Sequence, residues 1–384
     1  MRVQLLARPD HSVFLYRELE SQGVDVSYYT FHAFREGSLA NWLLPNRKTV
    51  PAPARTATLF TLLDYPVARF GQRFGLNTRP AETWLAERTL RPPGLATTDL
   101  VHYWPFYFAP LVRRLMRERD IATLADYYEA EPSFANALYR EAYRRAGLPF
   151  ERPYNELIDQ NEAFSFERNF VVPSRLTADS YRKRFRDSVI HVVPYGLMGK
   201  QIVGQPPPRP RRRWVFVGRV CLEKGIDILL TAMRQLTDCT LDLIGGVPAS
   251  QDRYLRERAK GLSGVRFLGH MANVDVLARL PEYDAFVMPS LCDSYSIATI
   301  EAVCAGLPVV VTDNCGVESA VREHGLGATC ATGDADALAA AMRMVSDELR
   351  EDALREAHRR FESAEHAAPY ATRMLQLYRS LTTA

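Results

Sequence analysis

At 384 residues the chain exceeds what one typical core serves, so two domains are expected, and a formal net charge of +3 excludes nucleic acid held by bulk charge. With 47% hydrophobic and 24% charged residues and no apolar run near the ~18 residues of a membrane span, it is neither disordered nor membrane-embedded, and any membrane contact is peripheral. All six cysteines (Cys221, Cys239, Cys292, Cys304, Cys315, Cys330) lie in the second half without a CxxC pair. This sets aside a zinc ribbon or a disulfide framework and places the chain in a reducing cytoplasm.

In chain order, "MRVQLLARPDHSVF" leads into strand and helix patterns without a charged and apolar leader. "RVQLLA", "DVSYYT", "LVHYW", "IATLADYY", "NFVVPS" and "VIHVVPYG" are the strand candidates of the first half. An irregular stretch from about 40 to 95, rich in Pro, Arg and aromatics, interrupts them, as insertions that carry specificity or mobility do. The prolines of "GQPPPRPRRRW" mark an extended linker, and its Arg211, Arg212 and Arg213 read as a solvated charge run, with contact to anionic lipid as the alternative.

From there the punctuation is regular. "RWVFVGR", "TLDLIGG", "VRFLGH", "AFVMPS", "PVVVTD" and "GATCA" alternate with helical patterns near 224–236, 250–261, 273–280, 296–305, 316–323 and 334–347. Alternation of this kind predicts an α/β, doubly wound parallel sheet, which binds ligands at the carboxyl ends of its strands. The expected division is an amino-terminal domain over 1–197, a linker over 198–213, a carboxyl-terminal domain over 214–360 and a final helix over 361–384 crossing back to the first domain.

Two segments carry chemistry. "VFVGRVCLEKGIDILL" puts Arg219 and Lys224 at a strand's carboxyl end beside a helix N-terminus, where a lysine opposes the helix dipole unless an anion joins it. Two fixed cations there suit a diphosphate. In "SLCDSYSIATIEAVCAGLPVVV", Asp293 falls in the loop leaving a strand, and Glu301 lies on the apolar stripe of the following helix. A buried carboxylate needs partners. A neighbouring arginine is the plain one, and a ligand is the other. Asp334 and Asp336 in "GDADAL" have metal-like spacing, but acids in a helix's first turn are explained by capping.

Together, "GRVCLEKG", "GLPVVVTD" and the eight-residue step from Asp293 to Glu301 resemble the retaining glycosyltransferases of family 4 (glycosyl transferases group 1). The resemblance covers nearly the whole second half and reaches back through "RNFVVPSRLTADSYRKRF" and "VIHVVPYG". It implies the GT-B fold, two Rossmann-like domains facing a cleft, and sugar transfer from a nucleotide diphosphate sugar (UDP- or GDP-linked) with no metal or other cofactor. It further implies a glycan or lipid-linked acceptor, as in bacterial surface polysaccharide synthesis, at the inner face of the membrane.

By the same resemblance Arg219 and Lys224 grip the diphosphate, with Gly218 beside them. Asp293 lies by the transferred sugar, the backbone of Ser294, Tyr295, Ser296 and Ile297 faces sugar and phosphates, and Glu301 holds the ribose. His102 matches a histidine that faces the donor sugar, and Asp126 and Glu129 are candidates for acceptor contact. The sequence departs from the family where Asp293 replaces a glutamate, where "DSYSI" replaces a glycine-containing loop, and where "ARPDHSVF" lacks a glycine-rich turn. Two other readings stand beside this one: a sugar-nucleotide epimerase on the same fold, and a non-catalytic sugar-nucleotide-binding subunit.

Overall fold

The computed structural model describes residues 1–7, 11–30, 94–150, 166–182 and 184–383, together with short pieces between 34 and 92. Most of the irregular stretch from 40 to 95, and residues 8–10 of the first loop, lie outside the described residues.

The strands of the first half are β1 (Arg2–Ala7), β2 (Asp25–Thr30), the two-residue strands β3 (Phe34–Arg35), β4 (Thr49–Val50) and β5 (Arg55–Thr56), then β6 (Leu100–Tyr103), β7 (Ala122–Asp126), β8 (Asn169–Val172) and β9 (Val189–Val192). Seven of them form one sheet in the order β5-β2-β1-β6-β7-β8-β9, with every pairing parallel. Helices α1 (His11–Ser21), α2 (Pro105–Glu118), α3 (Pro132–Ala146) and α4 (Arg175–Tyr181) supply crossovers. All four residues of β6 are buried, because helices cover both faces of this sheet. Leu100 and His102 point to one face, Val101 and Tyr103 to the other, and the second pair joins Leu6, Phe108, Val112 and Phe170 in a cluster under α2.

The second sheet holds β10 (Arg213–Val217), β11 (Thr240–Ile244), β12 (Val265–Gly269), β13 (Ala285–Met288), β14 (Val309–Thr312) and β15 (Gly327–Cys330), in the order β12-β11-β10-β13-β14-β15. All pairings are again parallel. Its helices are α5 (Ile226–Met233), α6 (Ala249–Ala259), α7 (Asn273–Arg279), α8 (Ile297–Cys304), α9 (Glu318–His324) and α10 (Ala335–Arg343). Each of the six runs read from the second half is one of these strands, and the central β10, β13 and β14, buried along nearly their whole length, are the most continuously apolar. Order 10-11-12 on one side and 13-14-15 on the other puts the reversal of winding between β10 and β13, and their carboxyl ends open a crevice there.

Two closing helices follow, α11 (Glu351–Ala367) and α12 (Tyr370–Thr382), broken at Pro369. The last one packs on α1, β6 and β7 of the first sheet. Among the described residues no helix is long and apolar enough to cross a membrane.

The arginine run is solvated only in part, with Arg213 exposed and Arg212 half-buried. Arg211 is fully buried, and its guanidinium donates to the carbonyls of Val345 and Leu349, both at 2.8 Å, and of Pro207 at 3.1 Å. Arg212 pairs with Asp347 at 2.8 Å and Asp238 at 2.6 Å, and Arg213 pairs with Asp284 at 2.7 Å. The carbonyls at the end of the α10 region need donors, and a planar fork supplies several at once. The Asp334 reading as a cap is the observed one: its carboxylate accepts from the backbone N–H groups of Asp336 and Ala337, each at 2.9 Å, and opens α10.

Candidate active site

The crevice is built from three loops. After β10 the chain passes through Gly218 and Arg219 into a short 3-10 turn, Leu222–Lys224, and α5 begins after Gly225. Gly225 has φ 67°, and a Cβ there would collide with the carbonyl oxygen of Pro289, so both conformation and space call for glycine. This turn is stitched to the loop after β13, where Leu291 N–H donates to Glu223 O at 3.1 Å. It is also tied to α6 through Leu222 N–H and Gln251 Oε1 at 2.8 Å.

In the loop after β13, Asp293 Oδ1 accepts from the N–H groups of Ser296 at 2.8 Å and Tyr295 at 3.3 Å. Its backbone is bridged to Asn314 and Gly316 after β14. Ser296 starts α8 at φ 59°, a left-handed conformation in which glycine is at ease and serine is strained. Asp293 Oδ2 receives Lys224 Nζ at 2.7 Å, which joins the two sequence motifs in one ion pair. Burial pulls the Lys224 ammonium's proton affinity down, but the charge and hydrogen bond of Asp293 more than offset this, and the group sits above the ordinary lysine value. Lys224 is therefore cationic at neutral pH. The neighbouring thiols are not: burial pushes Cys221 and Cys292 up to about 12 each, so neither serves as a thiolate nucleophile.

A cavity of about 490 Å³ fills the crevice. Gly218, Arg219, Lys224, Asp293, Ser294, Tyr295, Ser296 and Ile297 line it from the second sheet, and Glu129, Tyr139 and Tyr195 from the first. The Tyr295 hydroxyl is already committed, accepting from Gly196 N–H at 2.6 Å. A second cavity, about 930 Å³, is lined by the start of α3 and the loop 313–316. Arg175, Arg184 and Arg322, together with Glu131, Asp313 and Phe134, contribute to its lining.

Glu301 lies one helical turn beyond the cavity lining, 8% exposed in the second turn of α8, and its partner is a lysine rather than an arginine: Lys200 Nζ lies 3.0 Å from Oε1. His102 and Asp126 do not line the cavity. Both are 4% exposed, His102 Nδ1 meets Tyr378 Oη of α12 at 2.7 Å, and His102 Nε2 lies 3.5 Å from Asp126 Oδ2. Their place beneath α12 follows from the β6 register, which turns His102 to the face that this helix covers.

The crevice also contains residues the sequence reading passed over. Tyr139 donates to Cys292 O at 3.2 Å, and Tyr143 donates to Glu223 Oε1 at 3.0 Å while accepting from Gln251 at 2.6 Å. Spaced four apart on α3, the two tyrosines share one face, and that spacing was the available signal. Among the described residues no group of three or more His, Cys, Asp or Glu is placed to hold a metal ion.

Residues 211–348 match the family model of the glycosyl transferases group 1. Curated relatives include a glycogen synthase of Mycobacterium tuberculosis, 34% identical over 139 residues (35% of this chain and 34% of that protein). A phosphatidyl-myo-inositol mannosyltransferase of Mycobacterium leprae is 32% identical over 153 residues (39% of this chain and 40% of that protein). The match thus spans about a third of the length of the curated relatives. Over the whole chain the fold is that of a sucrose-phosphate synthase from Thermosynechococcus elongatus, with TM-score 0.62, 18% identity and full coverage of both chains. Anabaena HepE in complex with UDP and glucose superposes with TM-score 0.60 at 14% identity, again over all of both chains.

Proposed function

On the premise that residues 211–348 belong to the glycosyl transferases group 1 family and that the chain has the GT-B fold, we propose that the protein is a retaining, metal-independent glycosyltransferase. It takes a nucleoside diphosphate sugar as donor and a glycan or lipid-linked glycan as acceptor, in the assembly of a bacterial surface polysaccharide at the inner face of the membrane. The observation that carries this reading is the pairing of Lys224 with Asp293 beside Arg219 in the crevice between the sheets. Lys224 is a partly buried cation held by an acid until an anion arrives, and the diphosphate is that anion.

In this mechanism the bond from the sugar's anomeric carbon to the leaving phosphate oxygen breaks, and charge grows on the diphosphate. Arg219 and Lys224 meet that charge from fixed positions, a preorganised electrostatic contribution. The acceptor hydroxyl oxygen bonds to the anomeric carbon on the face the diphosphate leaves, and its proton passes to the departing phosphate oxygen. Asp293 is engaged by two backbone amides and a lysine, which supports a role in positioning the sugar rather than covalent attack. Glu301 holds the ribose hydroxyls, and Glu129, which lines the crevice from the other side, faces the acceptor. The curated relatives include enzymes named for mannosyl and rhamnosyl transfer, in keeping with a glycan product.

The test is incubation with UDP-, GDP- and ADP-sugars in EDTA, followed by proton NMR. Release of nucleoside diphosphate, with the donor's anomeric configuration kept in the product, is the expected result. Strict dependence on added Mg²⁺ or Mn²⁺, or inversion, overturns the metal-independent or the retaining assignment. An epimerised donor with no transfer points to the epimerase instead.

A further inference from the structure

The chain between β9 and β10 crosses the back of α8. Val203 and Gly204 N–H groups donate to Cys304 O at 3.0 and 3.2 Å, and a Cβ on Gly204 would collide with the Ala305 carbonyl. Lys200 N–H is itself held by Leu197 O at 3.0 Å. The ammonium of Lys200 is thereby fixed against Glu301 from a segment that belongs to neither sheet. Its hydrogen bond goes to Oε1, and Asn273 Nδ2 approaches the same oxygen at 3.4 Å. Oε2 receives no donor among the described residues.

A carboxylate with its protein donors gathered on one oxygen presents the other to a ligand. We propose that Lys200 is a positioning residue for the donor nucleotide: by holding Oε1 it fixes the Glu301 carboxylate and turns Oε2 toward the vicinal hydroxyls of the ribose. This rests on the ribose role given to Glu301 above, and it ties the donor's sugar ring to the segment that joins the two domains. Nothing in the spacing of Asp293 and Glu301 announces Lys200, which lies 101 residues from its partner.

The experiment is calorimetry of the full chain with UDP, GDP and ADP and with their 2′,3′-dideoxy forms. For the nucleotide that binds, the wild type should prefer the ribose form by roughly tenfold or more, the range of hydrogen bonds to a charged group. In Lys200→Met that preference should fall toward one, and in Lys200→Arg, which keeps the charge, most of it should return. Melting curves of both variants establish that they are folded. A Lys200→Met protein that keeps the wild-type preference overturns the inference and leaves the ribose role of Glu301 standing. Tighter binding of the ribose form by Lys200→Met overturns it too, because Lys200 would then compete with the ligand. A wild type that binds without preferring ribose removes the role of Glu301 and this inference together, and one that binds no nucleotide removes the functional reading itself.

Discussion

Lys224 and Asp293 stand sixty-nine positions apart in the sequence and 2.7 Å apart in space. Under the proposed function, the ion pair makes free protein and donor complex differ in which anion Lys224 serves. Lys224→Ala should lower kcat by roughly 100 to 1,000-fold, the scale of a lost transition-state donor. Asp293→Asn should depress turnover yet bind free nucleoside diphosphate somewhat more tightly, since the lysine no longer has a competing acid. Steady-state kinetics and calorimetry separate the two, and normal turnover in Asp293→Asn would reduce that acid to a loop-closing residue. Arg211 makes a stability prediction of the same local kind. Arg211→Met removes the donors of three carbonyl hydrogen bonds from a fully buried site, and should cost about 3 kcal/mol, read as a shift in the urea midpoint.

At the scale of elements, α3 and α11 carry the sharpest consequences. Helix α3 reaches across the crevice with Tyr139 and Tyr143 and touches the turn that presents Lys224. Tyr143→Phe leaves Glu223 and Gln251 short of a partner each, so hydrogen exchange at 221–225 should quicken, while an unchanged exchange pattern would make α3 a bystander. In α11, His358 is 4% exposed, and burial pulls its imidazole down to about 4. Its folded value lies below the unfolded 6.5, so between those values the unfolded chain binds more protons and stability falls as pH falls. Taken alone, this group should remove about 3 kcal/mol between pH 6.5 and 4. His358→Leu should flatten the acid limb of a stability-against-pH curve, and an unaltered limb would assign the loss elsewhere.

Elements were the most legible part of the sequence, and the reason is local. Buried parallel strands such as "FVM" of β13 and "VVV" of β14 are apolar on both faces, so the run itself shows them. Partners across long separations were not legible. His102 meets Tyr378 from 276 positions away, and only the β6 register and the return of α12 decide that it faces a helix rather than the crevice. Arg211 looked like solvent-exposed charge because three arginines in a row carry no sign of the carbonyls that receive them.

For the molecule as a whole, two doubly wound sheets meet along a crevice that α3, the 194–205 segment and the returning α12 all span. Gly218, Arg219, Lys224 and Asp293 to Ile297 line the crevice from loops of one sheet, while Glu129, Tyr139 and Tyr195 come from the other side. Such a division makes the completed site depend on how the domains meet, and closure over a donor would exclude water from the reactive sugar. Under the proposed function, the anion held in this crevice is a nucleoside diphosphate, gripped by Arg219 and Lys224. Calorimetry in EDTA with UDP, GDP and ADP, on the wild type and on Arg219→Ala/Lys224→Ala, tests it most directly. The account predicts metal-free binding of at least one of the three by the wild type and a loss of roughly 100-fold or more in the double variant, the scale of two charge-assisted contacts. Wild-type affinity in the double variant, or no binding by the wild type, would contradict it.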